Sequence, residues 1–183
     1  PALRVLVTGA SGRVGRAVAV CLAHEHTVVG LDRAPSSTAT LVGDVADPEL
    51  TRAALQGIDA VVHVAALHAP HVGRAGDAAF ERSNVQATRQ LAEQAAAAGV
   101  RRFVFTSTTA LYGDAAAPAG HAAWIDEELV PQPRTVYHRS KLAAEAVLEA
   151  IAAQGALAVT VLRMSRCFPE PAPLMASYRL HRG

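Results

Sequence analysis

Tyr137-His138-Arg139-Ser140-Lys141 carries a phenol and an ammonium four residues apart. On a helix, that spacing brings both groups to one face. A tyrosine ionises near pH ~10 and is a poor base at neutrality. A neighbouring cation, joined by the charge of an oxidised nicotinamide, favours the phenolate and lowers that value. Such a pair can take a proton from a hydroxyl or return one. Thr108, just beyond an apolar run at 102–106, supplies a hydroxyl to orient the reacting oxygen. Proton removal of this kind is useful when hydride leaves the same carbon for a nicotinamide ring.

A second group lies near the N-terminus, in Thr8-Gly9-Ala10-Ser11-Gly12-Arg13-Val14-Gly15. It follows a strand-like run and precedes a helical one, the setting in which such a turn cradles a dinucleotide. Gly9 permits a tight turn, Gly12 a close backbone approach to a pyrophosphate, and Gly15 close packing of helix on sheet. The helix N-terminus turns free N–H groups and a positive dipole end toward the phosphates, with Ser11, Arg13 and Val14 filling the turn. Asp32 closes the second apolar run, where a carboxylate accepts from ribose hydroxyls and repels a 2′-phosphate. Arg33 beside it could hold that phosphate, so NAD is expected ahead of NADP. Asp44-Val45 could meet the adenine amino group, or Asp44 could simply be solvated. Ala65-Ala66 leave room at a strand end, which plain packing explains equally well.

The elements that must position these groups alternate along the whole chain. Apolar runs at 4–8, 27–32, 40–44, 60–65, 102–106 and 158–163 read as strands. Between them lie helical patterns over 13–23, 48–56, 77–98 and 137–154. The stretch 109–134, rich in Ala, Pro and Gly, shows little periodicity, and a loop that long is usually functional. Strands apolar on both faces imply a parallel sheet covered on both sides. Right-handed crossovers then predict an α/β, doubly wound Rossmann-type sheet of order 3-2-1-4-5-6. Residues 1–168 are read as the dinucleotide-binding and catalytic domain, and 169–183 as the start of a substrate-binding region.

Bulk properties narrow the function. The 183 residues fit one domain, since domains commonly run to ~100–200 residues. Apolar residues make up 51% and aromatics only 4%, so Ala, Val and Leu must build the core. A net charge of +1, with no basic stripe, argues against nucleic acid as partner. No apolar stretch reaches the ~18 residues of a membrane span, and no leader peptide is visible. Cys21 and Cys167, without CxxC spacing, read as buried structural thiols of a reducing compartment, so the cytoplasm is expected.

TGASGRVG, Asp32, HVAA at 63–66, FTSTTALYG at 105–113 and YHRSK at 137–141 together resemble the extended short-chain dehydrogenase/reductases, the NAD-dependent epimerase/dehydratase group. The resemblance spans nearly the whole chain. It implies Thr108, Tyr137 and Lys141 as the catalytic triad, Asn84 as a helix residue that shapes the site, and Ser107 on the nicotinamide pocket. The stretch from Leu162 to Pro171 is similar to uronate dehydrogenases, though Arg166 replaces a serine and Met175 a carboxylate-binding arginine of that subgroup. The substrate implied is therefore sugar-like: a sugar, a sugar acid or a nucleotide sugar. Family members continue well past Gly183, so most of the substrate lobe is expected to lie outside these residues. The competing class is a non-catalytic dinucleotide-binding sensor.

Other residues admit plainer readings. His68 and His71 are three apart but lack a third metal ligand, so no metal is expected and the substrate mouth is their alternative place. His63, inside a strand, reads as a satisfied core histidine. Trp124, Asp126, Glu127 and Glu128 suggest a solvated acidic turn or a lid. Helices 77–98 and 137–154, with Ala-rich faces, could pair in a homodimer or pack on their own sheet.

Overall fold

Val5, Leu6 and Val7 of strand β1 (Arg4–Thr8) are buried to 3% exposure or less, as a central strand requires. The structure, a computed structural model, describes residues 1–116 and 124–165. Beside β1 lie β2 (Thr27–Asp32) and β4 (Ala60–His63), then β3 (Leu41–Val42) outside β2, and β5 (Arg102–Thr108) and β6 (Ala158–Met164) beyond β4. All pairings are parallel and the order is β3-β2-β1-β4-β5-β6, as predicted.

Alternation along the strands divides the core in two. Leu6, Val61, Phe103 and Phe105 face one way and meet helices α2 (Pro48–Ala54), α4 (Ala87–Ala97) and α5 (Val136–Ala152). Val5, Val7 and Ala60 face the other way and meet α1 (Arg13–Leu22) through Val18, Ala19 and Leu22. Successive strand side chains point to opposite faces, so each central strand serves both clusters.

The helix starts differ in a way that bears on function. Asp47 caps α2, accepting from Glu49 N and Leu50 N, with Pro48 in its first turn. Thr135 caps α5, accepting from His138 N. Gly12, at the start of α1, offers no side-chain cap. The first amides of α1 therefore rely on some other acceptor.

Five departures from the sequence reading have local causes. Backbone pairing of β3 begins only at Leu41, because the Thr40 hydroxyl has already engaged both the amide and the carbonyl of Gly30. β4 ends at His63, because Val64 N and Ala65 N turn to the Thr8 hydroxyl. Cys21 is exposed, not buried: α1 buries Gly15 and Ala19, and residue 21 falls on the outer face. Strand β6 pairs with a single neighbour among the described residues and leaves Val161 and Leu162 exposed at 37% and 45%. Finally, the expected helix 77–98 is not uniform. It starts as α3 (Asp77–Phe80), widens into a π-helical segment (Glu81–Gln86) and resumes as α4.

The stretch after β5 forms 3₁₀ turns over Thr109–Ala116, kinked at Gly113, which bury Tyr112. Further on, the Asp126 carboxylate accepts from Glu128 N and Leu129 N, an acidic turn, while Trp124 stands 86% exposed. Cys167, Arg166 and Met175, with the region 169–183, lie outside the described residues. Among the described residues, no helix is long and apolar enough to cross a membrane.

Candidate active site

The carboxyl ends of β1, β2, β4 and β5 open into one cleft of about 1270 Å³. Ligands of doubly wound sheets bind at that edge, where the strand order reverses. One end of this cleft is made of backbone. Gly9 has φ 71°, and a Cβ there would lie 2.7 Å from Ala65 N, so the turn presses directly on the end of β4. At Gly15 a Cβ would meet the Gly9 carbonyl at 2.0 Å. Both positions exclude a side chain. Asp32 braces the turn: Oδ2 accepts from Ser11 N and Oδ1 from Ala34 N, each at 2.9 Å. A carboxylate has further acceptor capacity beyond two such bonds. Arg33 reaches Asp44 at 3.8 Å across the outer rim, an exposed pair, while the other Asp44 oxygen accepts from Ala46 N.

The other end is made of buried side chains. Tyr137, in the first turn of α5, bonds Thr108 at the end of β5. Lys141, one turn on, is only 3% exposed; its ammonium donates to the Thr106 carbonyl at 2.7 Å and sits 4.4 Å from the Phe105 ring centre. Burial lowers its pKa to about 8, against the opposing pull of Glu145. For Tyr137 the protein's own groups act upward on balance. Burial raises the phenol above its ordinary value and the Thr108 bond only partly offsets this. The lysine is committed to the Thr106 carbonyl.

Asn84 reaches the site by way of the π-helical segment, a distortion frequently found at functional positions. Its Oδ1 accepts from Leu67 N, and its Nδ2 donates to Leu67 O and Ser140 Oγ, at 2.8–2.9 Å. Ser140 Oγ in turn donates to the Tyr137 carbonyl. Asn84 thus ties the loop after β4 to the turn of α5 that carries Tyr137 and Lys141.

The structure brings the sequence-predicted residues together. Gly9, Gly12, Arg13, Val14, Gly15, Asp32, Arg33, Asp44, Val45, Ala65, Ala66, Ser107, Thr108, Tyr137 and Lys141 all line the cleft. Ser11 and Asn84 act from behind its wall through the bonds just given. His68 lines the mouth and packs edge-on against His71 at 4.7 Å. Its pKa is lowered, chiefly by burial and by His71. His63 is indeed a core histidine with both ring nitrogens bonded. Three contributors escaped the sequence reading: Ser140, Thr106 and Glu145. Glu145 lies four residues past Lys141 and holds Arg163 of β6 at 2.7 Å; Arg163 also bonds the Tyr112 hydroxyl. One compositional signal was available for the site. Lys141 is the only lysine among 17 basic side chains, and Lys can shed its proton where Arg cannot.

These residues fit a dinucleotide on observations of their own. The start of α1 is uncapped, and Gly9 in the turn before it has no room for a Cβ. Ser107 Oγ, at the catalytic end, is buried with no hydrogen-bond partner among the described residues. Buried polar atoms are nearly always satisfied, so a lone one in a cleft wall marks a place for a ligand group.

Comparison with known proteins agrees. The chain is 35% identical to the L-arabinose 1-dehydrogenase (NAD(P)(+)) of Haloferax volcanii, over 88% of this chain and 66% of that protein. It is 33% identical to the UDP-glucose 4-epimerase of Corynebacterium glutamicum, over 88% and 50%. Among solved structures it is similar to MoeE5 in complex with UDP-glucose and NAD, with a TM-score of 0.79, 34% identity and coverage of 98% and 60%. The chain spans half to two thirds of the length of these relatives. The family match extends over residues 5–172, from within β1 to past β6, and so takes in every strand and helix that builds the cleft. The chain belongs to the NAD dependent epimerase/dehydratase family.

Proposed function

We propose that this chain is the nucleotide-binding and catalytic part of an NAD-dependent oxidoreductase acting at a secondary alcohol carbon of a sugar-type substrate. The observation that carries this reading is the placement of Tyr137, Thr108 and buried Lys141 in one cleft with the glycine turn. The amides at the start of α1 would hold the diphosphate, Asp32 the ribose hydroxyls, and Ser107 the nicotinamide end. NAD, when bound, supplies the hydride acceptor. Thr108 orients the substrate hydroxyl, and Tyr137 takes its proton as the carbon gives up hydride; in reverse, Tyr137 returns that proton to the carbonyl oxygen. Lys141, through the Thr106 carbonyl, fixes β5 against α5, and its charge, with that of the bound nicotinamide, would favour the phenolate. The names of the relatives support a sugar or a nucleotide sugar as substrate, within the wider expectation of a sugar, a sugar acid or a nucleotide sugar.

The test is absorbance of reduced nicotinamide across sugars, uronates and secondary alcohols, with product analysis for epimers. Tyr137→Phe is expected to lower kcat roughly 10²–10⁴-fold, the usual scale of general acid–base catalysis, with NAD affinity nearly unchanged. Tight NAD binding with no conversion of any substrate would instead favour a dinucleotide sensor.

A further inference from the structure

His63 is wholly buried between the two ends of the cleft, and the mechanism above makes no use of it. Its Nδ1 lies 2.6 Å from Thr8 Oγ1 and its Nε2 lies 2.9 Å from Thr88 Oγ1. Counting protons settles its form. Thr88 has one hydroxyl proton and gives it to the Asn84 carbonyl at 2.7 Å, so toward His63 it can only accept, and Nε2 carries the hydrogen. On the other side Thr8 Oγ1 accepts from both Val64 N and Ala65 N at 3.2 Å. Its lone pairs are filled, so its own proton must go to Nδ1. Every partner is satisfied only by neutral imidazole with hydrogen on Nε2. Burial and the charge of Lys141, which lies over the Phe105 ring that His63 stacks against, both disfavour a second proton and hold the pKa down at about 3.

Each bond leads to a different part of the site. The Thr8 arm fixes Val64 and Ala65, against which the Gly9 turn is pressed. The Thr88 arm fixes the carbonyl of Asn84, whose amide holds Leu67 and Ser140, and Ser140 holds the Tyr137 carbonyl. We propose that His63 is a positioning residue that joins the dinucleotide turn to the proton-transfer helix, one ring nitrogen serving each. This inference rests on the function proposed above.

The two arms can be cut separately. In His63→Asn the side-chain oxygen can still accept from Thr8, while the reach to Thr88 is lost. In His63→Gln the amide nitrogen can still donate to Thr88, while the Thr8 contact is lost. Calorimetry with NAD, and turnover at saturating NAD with L-arabinose or whichever sugar the panel identifies, should then split. For the Asn variant, NAD affinity stays near wild type and kcat falls roughly tenfold, the scale of one half-made buried hydrogen bond. For the Gln variant, NAD affinity falls by that factor. Thr88→Val, which keeps shape and removes one hydroxyl, should reproduce the Asn variant if the latter folds poorly. Nitrogen NMR of the imidazole in the full chain provides a readout independent of activity: Nε2 protonated and Nδ1 bare throughout the mildly acidic range. Equal losses of affinity and turnover in both variants, or the opposite tautomer, would overturn the positioning role while leaving the proposed function intact. Absence of NAD binding by the wild-type chain would overturn both.

Discussion

The two ends of the cleft are built from opposite materials. At the glycine turn the site exists because side chains are absent: Gly9 and Gly15 leave no space for a Cβ, and the amides of α1 are left without a cap. At the catalytic end the site exists because polar side chains are buried: Lys141 at 3% exposure, Asn84 at 1% and His63 at 0%. The first end is a local product of a few consecutive residues. The second is assembled from β4, β5, the π-helical segment and α5, and Lys141, Asn84 and His63 are each matched across elements distant in sequence. Backbone recognition tolerates little variation in size, whereas buried charge trades stability for reactivity.

Four substitutions or titrations would break or sharpen that contrast. Lys141→Met removes the buried ammonium and keeps the volume. Turnover should drop roughly 10²–10⁴-fold, as for loss of a proton-transfer partner. Unfolding free energy in urea should stay level or rise, because a buried charge is often no more stabilising than an apolar replacement. A large loss of stability would show that the lysine is mainly structural. Gly15→Ala tests the other end. Its Cβ would sit 2.0 Å from a backbone carbonyl that no rotamer change can relieve. NAD affinity measured by calorimetry should weaken about 100-fold, roughly 2.7 kcal/mol. An unchanged dissociation constant would mean that the turn does not carry the diphosphate.

Asp32→Ala stands between the two, a side chain acting on backbone. It frees the amides of Ser11 and Ala34 and removes a charge that would repel a 2′-phosphate. NAD affinity should fall about tenfold, the scale of a charge-assisted hydrogen bond, while NADP affinity changes less or improves. A parallel loss for both nucleotides would remove Asp32 from the selection between them.

The smallest effect is a pH slope. Lys141 titrates at about 8 when folded and near 10.5 when unfolded. Between those values the unfolded chain binds the extra proton, so stability rises with pH, by at most ~1.4 kcal/mol per unit. Tyr137 acts the other way above its ordinary value, since the folded phenol keeps a proton that the unfolded chain releases. The gain is therefore read from about pH 8 to pH 10 by urea unfolding. Lys141→Met should flatten the slope; a slope that survives the substitution would assign it to another group.

The legibility of these features follows the same division. Gly9, Gly12 and Gly15 with Asp32 could be read from spacing because turn, helix start and strand end lie within a few dozen residues. The Tyr137 and Lys141 pair was equally visible, because four residues on a helix share a face. The direction of the Tyr137 shift was not. Spacing places a cation next to a phenol, but it does not reveal that the Thr106 carbonyl claims the ammonium or that burial pushes the phenol upward. The π-helical widening at Glu81–Gln86 also left no trace in periodicity, since it depends on Asn84 finding Leu67 and Ser140.

The alternation of apolar runs and helical patterns by itself determined the parallel sheet, its strand order and the edge at which the site opens, since these follow from side-chain periodicity and the handedness of crossovers. Only the tertiary structure decided how the polar groups behind that edge are paired. Hydrogen-bond partners and desolvation depend on which elements meet in space, and no spacing along the chain specifies that.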